Sequence, residues 1–219
     1  IILDSIEHDR TILAYKGVNN DLDYKDVDLK KLRTKWFYFS AMLGKAFKAQ
    51  EKLSFFAKKN NIKIAFNPSS YLAERGSSFL KNILSHTEIL VLNKEEAELI
   101  GGKDSIESLV KKLHSLGPCY VVITDGKRGA FCYHNNDLYF SNTTKMKPVE
   151  TTGAGDAFAS TFLAGIIQKN DISYAMKIAT TNAESVISHH GAKNKLLTLS
   201  QIKRILKKRP IHVTKKNIK

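Results

Sequence analysis

Short apolar runs alternate along this chain with longer stripes of helical period, and that alternation predicts most of its elements. Trp36-Phe37-Tyr38-Phe39, Ile62-Lys63-Ile64-Ala65-Phe66, Ile89-Leu90-Val91-Leu92 and Tyr120-Val121-Val122-Ile123-Thr124 are brief and rich in β-branched and aromatic residues. Such runs suit strands buried on both faces, as in a parallel sheet. Between them the period lengthens. Gly44 to Lys59 sets Phe47, Leu53, Phe56 and Ala57 on one face, and Ser77 to Ser85, Ala97 to Ile100 and Ile106 to Leu116 also read as helices. Strand and helix in turn predict a mostly parallel α/β sheet.

Past Thr124 the pattern changes. Asp125-Gly126-Lys127-Arg128-Gly129 predicts a glycine-rich hairpin turn into strands at Ala130 to Tyr133 and Leu138 to Phe140. Two long helices follow. In the first, Ala154 to Ile167, residues Ala157, Phe158, Thr161, Phe162, Gly165 and Ile166 recur at three- and four-residue spacing. The second starts at Asp171 and buries Ile172, Ala175, Met176, Ile178, Ala179, Ala183, Val186 and Ile187, with Asn182 off that stripe. Leu199 to Lys208 is a basic amphipathic helix, and the tail after it shows no packing pattern. At the other end, Ile1-Ile2-Leu3 and Thr11 to Tyr15 are extended segments that predict a hairpin around a polar link.

The chain of 219 residues is long enough for a sizeable core and reads as one domain. Its formal charge of +14 raises nucleic acid as a partner. The lysines, however, are scattered over helix faces and gathered in the tail. Without an aromatic and basic platform or a groove-reading motif, no nucleic-acid partner is expected. A positive field would instead help collect a polyphosphate. No apolar run approaches the roughly 20 residues that cross a bilayer, so no membrane role and a cytoplasmic location are expected. Cys119 and Cys132 sit in strand-like surroundings and are expected to be buried free thiols.

One stretch carries the chemistry, Glu150-Thr151-Thr152-Gly153-Ala154-Gly155-Asp156-Ala157-Phe158. Three small residues let the backbone approach an anion at a helix N-terminus, where free amides and the helix dipole favour negative charge. Asp156 then stands in the first turn, either as a simple helix-stabilising carboxylate or as a general base beside a bound phosphate. Upstream, Asn93 and Glu96 have the spacing of a capping box. Asn67-Pro68-Ser69 is a turn at a strand's carboxyl end, where open α/β sheets put their ligands.

The stretch ending in Gly153-Ala154-Gly155-Asp156 closely resembles the signature of the ribokinase-like (phosphofructokinase-B type) carbohydrate and nucleoside kinases. Asn67-Pro68, Asn93 with Glu96, and Thr124, Gly126 and Gly129 are similar to further family motifs in the family's order. The resemblance implies a three-layer αβα sandwich and ATP-dependent phosphorylation of an alcohol on a sugar or nucleoside. Asp156 would be the base and Gly153, Ala154 and Gly155 the anion hole. Thr124, Gly126, Gly129 and Asn93 would attend the nucleotide, with Asn182 either near the adenine or simply facing solvent.

Glu96 would help organise Mg2+ through water, alongside its capping role. Glu150 departs from the family's Asp, and with Thr152 it marks the place of a monovalent cation such as K+. Residues 1–19 are similar to part of a small β lid, whose strands offer a homodimer contact. Residues 36–198 would form the nucleotide-binding core and 199–219 a basic helix and tail. Relative to the family the chain starts late. That leaves open a non-catalytic nucleotide-binding fragment or one half of a split kinase, and, within enzymes, a kinase for a vitamin alcohol such as hydroxymethylpyrimidine or pyridoxal.

Overall fold

Strands β1 (Ile2–Asp4) and β2 (Arg10–Ile12) pair antiparallel, with Ile2 opposite Ile12. This is the expected hairpin. The computed structural model describes residues 2–4, 10–13, 15–144 and 148–219, so the polar link of the hairpin lies outside the described residues.

The main sheet runs in chain order: β3 (Trp36–Ser40), β4 (Lys63–Asn67), β5 (Ile89–Asn93), β6 (Tyr120–Thr124), β7 (Ala130–His134), β8 (Asp137–Ser141) and β9 (Val213–Asn217). Strands β3 to β6 are parallel and the remainder antiparallel. Parallel neighbours need crossovers, which helices supply. They are α1 (Gly44–Lys59), the short α2 (Ser70–Ala73) with α3 (Gly76–Leu84), and α4 (Lys94–Gly101) with α5 (Ile106–Ser115).

Alternation along the central strands divides the core between two faces. Ile64, Phe66, Leu90, Leu92, Val121 and Ile123 point toward Leu80, Ile83, Leu109 and Leu113. Ala65, Ile89, Val91 and Val122 point the other way, against Phe158, Phe162, Met176 and Ala179 of α6 (Ala154–Lys169) and α7 (Ile172–Ile187). Burying each large side chain contributes about 1.5–3 kcal/mol. The result is the expected ribokinase-like three-layer sandwich.

Helices α6 and α7 are the most closely packed pair, and Gly165 is the reason: a Cβ there would fall 2.6 Å from Ala175 Cα. A turn at Asn135 and Asn136, both at positive φ, joins β7 to β8. Asparagine tolerates that conformation better than most residues.

Two expectations are corrected. The tail beyond α8 (Leu199–Lys208) is ordered into β9, which pairs antiparallel with β8 and is anchored by buried Ile211 and Ile218. Cys119 is exposed rather than buried, because it precedes β6 at the amino edge of the sheet, whereas Cys132 is buried and its thiol is pushed up by that burial.

Candidate active site

The parallel strands deliver a row of polar residues to their carboxyl edge. Ser40 lies opposite Asn67, and Asn93 opposite Thr124. Asn67 Nδ2 donates to Val91 O at 3.0 Å, and Thr124 Oγ1 donates to Leu92 O at 3.3 Å. These two side chains fasten neighbouring strand ends, which fixes the rim on which the loops sit.

Two helices begin just beyond that rim. At α4 the capping box is complete: Asn93 Oδ1 accepts from Glu96 N at 2.8 Å, and Glu96 Oε2 accepts from Asn93 N at 3.0 Å. The remaining oxygen, Oε1, accepts one long bond from Ser70 Oγ at 3.4 Å. Burial pushes the Glu96 carboxyl up, against these hydrogen bonds, and the negative charges of Glu95 and then Asp156 add slightly in the same direction.

At α6 no side chain caps the helix. Gly153 adopts a left-handed conformation, φ +82°, and passes so near the following segment that a Cβ would fall 2.2 Å from Ala192 O. Only glycine fits there. Gly155, two residues on, faces open space where its Cβ would be. The amide of Ala154 donates to Thr151 O at 3.3 Å, so one of the three expected anion-hole amides is engaged in the turn itself.

Asp156 is exposed in the first turn of α6, beside a cavity of about 420 Å3. Thr124, Gly126 and Gly129 line that cavity together with Ala154, Gly155 and Phe158. The glycine turn is as predicted, with Asp125 held by Arg128 and therefore structural.

Several lining residues were missed by sequence reasoning. Lys127, an exposed residue inside the glycine turn, also contributes to the cavity wall, a signal visible in its position. Thr143 also lines the wall, and its hydroxyl donates to Lys127 O at 3.0 Å. On α7 the wall is formed by Thr180, Ala183, Glu184 and Ile187. Asn182 is not among them. It is buried at 6% exposure, donating to Thr161 Oγ1 and accepting from Leu197 N, on the other side of the helix. It is therefore not the solvent-facing residue that was the alternative expectation, and its side chain ties α7 to Thr161 and Leu197.

Tyr38 was also unforeseen. Phe37 and Phe39 join the core on the α1 face, while Trp36 packs toward α6, so alternation sets Tyr38 on the α6 side of β3. Tyr38 is 40% exposed, and its partial burial first, then the charge on Asp156, pushes its phenol up to about 12. Tyr38 is therefore a neutral hydrogen-bond donor within electrostatic reach of Asp156.

Glu150 comes close to the loop after α7. Glu150 Oε2 accepts from Gly191 N at 2.8 Å and stands 3.8 Å from His190 Nδ1. Thr152 Oγ1 is buried without a hydrogen-bond partner among the described residues. No group of three or more His, Cys, Asp or Glu among the described residues could hold a metal directly, and no described helix is long and apolar enough to cross a membrane.

A mostly parallel sheet between two helical layers, with an uncapped glycine turn opening onto a cavity at its carboxyl edge, defines an α/β protein of the ribokinase-like class. The chain belongs to the pfkB family of carbohydrate kinases, whose model matches residues 1–199. It is 29% identical over 192 residues to an ATP-dependent 6-phosphofructokinase of Thermoanaerobacterium thermosaccharolyticum, covering 83% of this chain and 59% of that protein. With a cytidine kinase of Thermococcus kodakarensis it shares 32% identity over 140 residues, 61% of this chain and 49% of the relative. Among solved structures, the ribokinase of Thermotoga maritima superposes with a TM-score of 0.80 at 20% identity, covering 94% of this chain and 68% of its own. An E. coli protein provisionally assigned as a ribokinase II and solved with ATP and Mg2+ gives 0.83 at 21%, covering 92% and 68%. The chain thus spans about half to two thirds of the length of these proteins.

Proposed function

We propose that this chain carries the nucleotide-binding and phosphoryl-transfer machinery of an ATP-dependent kinase for an alcohol on a sugar or nucleoside. One observation carries the reading: Asp156 stands in the first turn of α6, beside a glycine-lined cavity and at a helix N-terminus left without a side-chain cap. The names of the relatives, a phosphofructokinase and a cytidine kinase, support the reaction class and leave the acceptor open. Residues 36–198 serve as the nucleotide-binding core, 1–19 as part of a lid, and the cytoplasm as the working compartment.

In this reading the acceptor hydroxyl lies against Asp156, whose carboxylate takes its proton as the oxygen bonds to the γ-phosphorus. The bond from the γ-phosphorus to the β,γ-bridging oxygen breaks and ADP leaves. The Gly155 turn and the α6 dipole face the negative charge of the transferring group. Lys127 and the rim of Thr124 and Gly126 hold the donor phosphates, while Thr180, Ala183 and Ile187 form the wall for the rest of the nucleotide.

Glu96 fits a water-mediated Mg2+: it is buried, and its Oε1 has only one long hydrogen bond among the described residues. When bound, the metal would neutralise phosphate charge. Thr152 Oγ1, orphaned and buried, with the Glu150 carboxylate near it in sequence, is a fitting donor set for K+. Replacing K+ by tetramethylammonium is expected to weaken turnover several-fold; an unchanged rate would remove the monovalent cation from the reading.

Acceptor-dependent ADP release, measured over a panel of sugars and nucleosides, tests the proposal. Nucleotide binding with no release for any acceptor would favour the non-catalytic reading.

A further inference from the structure

Glu184 is a buried carboxylate, 8% exposed, that accepts twice from one residue: Oε1 from the Thr144 amide at 2.6 Å and Oε2 from the Thr144 hydroxyl at 2.8 Å. It stands between two cavities. On one side is the 420 Å3 cavity already described. On the other, α7 and α8 enclose a second of about 330 Å3, whose wall also includes Thr144. That volume lies within the usual range of small-molecule sites, roughly 300–1,000 Å3.

The second cavity has an apolar part in Ile205 and Ile211, two adjacent cations, Lys208 at the last position of α8 and Arg209 at its C-cap, and one anion, Glu184, whose two oxygens are already taken up by Thr144, so the lining keeps a net positive charge. Cations at a helix C-terminus complement its dipole without any ligand. Here, however, both line a cavity, and neither forms an ion pair among the described residues, whereas Lys215 and Lys216 on β9 do. The hydroxyls of Ser185 and Ser188 already donate to Lys195 O and Ser185 O, so recognition of an anion falls to the two cations. A phosphate monoester, with about −1.5 to −2 charge at neutral pH, matches that pair better than a single carboxylate does.

We propose that this second cavity binds a small phosphate monoester, phosphate toward Lys208 and Arg209 and compact apolar body on Ile205 and Ile211, and that its occupancy is communicated to the nucleotide cavity through Glu184 and Thr144. The site itself is independent of the kinase reading; only the communication rests on it. Coupling follows because Glu184 is common to both walls and is fixed by Thr144. A ligand that stiffens or loosens that contact alters the nucleotide wall, and by linkage the nucleotide alters the ligand's affinity equally.

Calorimetric titration of the full chain with propyl phosphate tests this, with the first cavity filled by a non-hydrolysable ATP analogue and Mg2+ so that the Gly155 turn cannot compete. Saturable binding is expected, weakened about tenfold or more in the K208Q/R209Q double variant, whose exposed positions leave the fold intact. The Kd of the analogue is expected to shift at least about twofold when propyl phosphate is saturating. No binding in the native chain, or equal binding in the double variant, overturns the site. Binding without a shift in analogue affinity overturns the communication. Failure of the analogue to bind would sink the kinase reading, while the same titrations without it still decide the second site.

Discussion

Helices α4 and α6 both begin beyond the carboxyl edge of the sheet, yet one end is closed and the other open. Asn93 and Glu96 satisfy each other's amides at α4, so that terminus is complete without a ligand. At α6 the residue in the cap position is Gly153, which has no side chain to offer, and Gly155 beside it leaves room for an incoming group. A helix end that its own sequence leaves uncapped is one that an anion can complete. The pair teaches that the absence of a cap, next to a cavity and an acid, is the informative signal, and that the glycines matter for what they leave out.

The two helix ends differ most in chemistry at Asp156. Asp156→Asn is expected to lower kcat by about 10²–10⁴, the range of a general base, while nucleotide Kd stays within a few-fold. Equal turnover in this variant would reduce Asp156 to a helix-stabilising residue like Glu95 in the first turn of α4. Gly153→Ala tests the open end itself. Strain at φ +82° and the clash with Ala192 O are expected to cost about 1–3 kcal/mol, read as a lower Tm together with weaker nucleotide binding. An unchanged Tm would show that the turn is not held as described.

At α4, Glu96→Gln separates the cap from the charge, since Gln can still accept from the Asn93 amide. The helix should persist while the Mg2+ requirement rises about 10-fold or more. The pH dependence has a definite sign. Burial raises the Glu96 carboxyl above its ordinary 4.5, so protons compete with the metal in the window just above that value and Mg2+ affinity increases as pH rises through it. Over the same window the folded state holds the proton more tightly than the unfolded chain, and Glu96's contribution to stability declines with rising pH. A flat Mg2+ profile in the native protein would confine Glu96 to capping. The smallest effect belongs to Tyr38→Phe, which removes one neutral donor near Asp156: a rise of about 3- to 10-fold in acceptor KM with kcat little changed, in keeping with a single hydrogen bond. No change in KM would leave Tyr38 a packing residue.

Much of this was legible in the residues. The four parallel strands were visible because each is buried on both faces and so nearly continuous in apolar residues. The glycine turn at 126–129 and the α6 turn were visible because positive φ and close approach demand glycine. Tyr38 escaped because it belongs to an apolar run that reads as core, and only the three-dimensional position of α6 makes it a neighbour of Asp156. Asn182 misled for the converse reason. A polar residue off the apolar stripe suggests solvent, yet its two hydrogen bonds, to Thr161 and Leu197, come from segments distant in sequence. Thr180, a helical turn before Glu184, faces the cavity instead.

The strand that sequence periodicity hid, Val213-Thr214-Lys215-Lys216-Asn217, sits at the outer edge of the sheet. Its polarity is what concealed it, and that polarity has a use. An outermost strand exposes unpaired backbone groups that would template a neighbouring molecule, and lysines on such a strand oppose flush stacking between copies. Lys215 and Lys216 are tethered to Asp137 and Glu107, so the strand stays attached to its own sheet. Removing the residues after Arg209 would bare β8, with Leu138 and Phe140, as the new margin. Residues 210–219 are therefore expected to guard this edge against self-association, and their loss should appear as aggregation on storage before it appears in any property of the cavity.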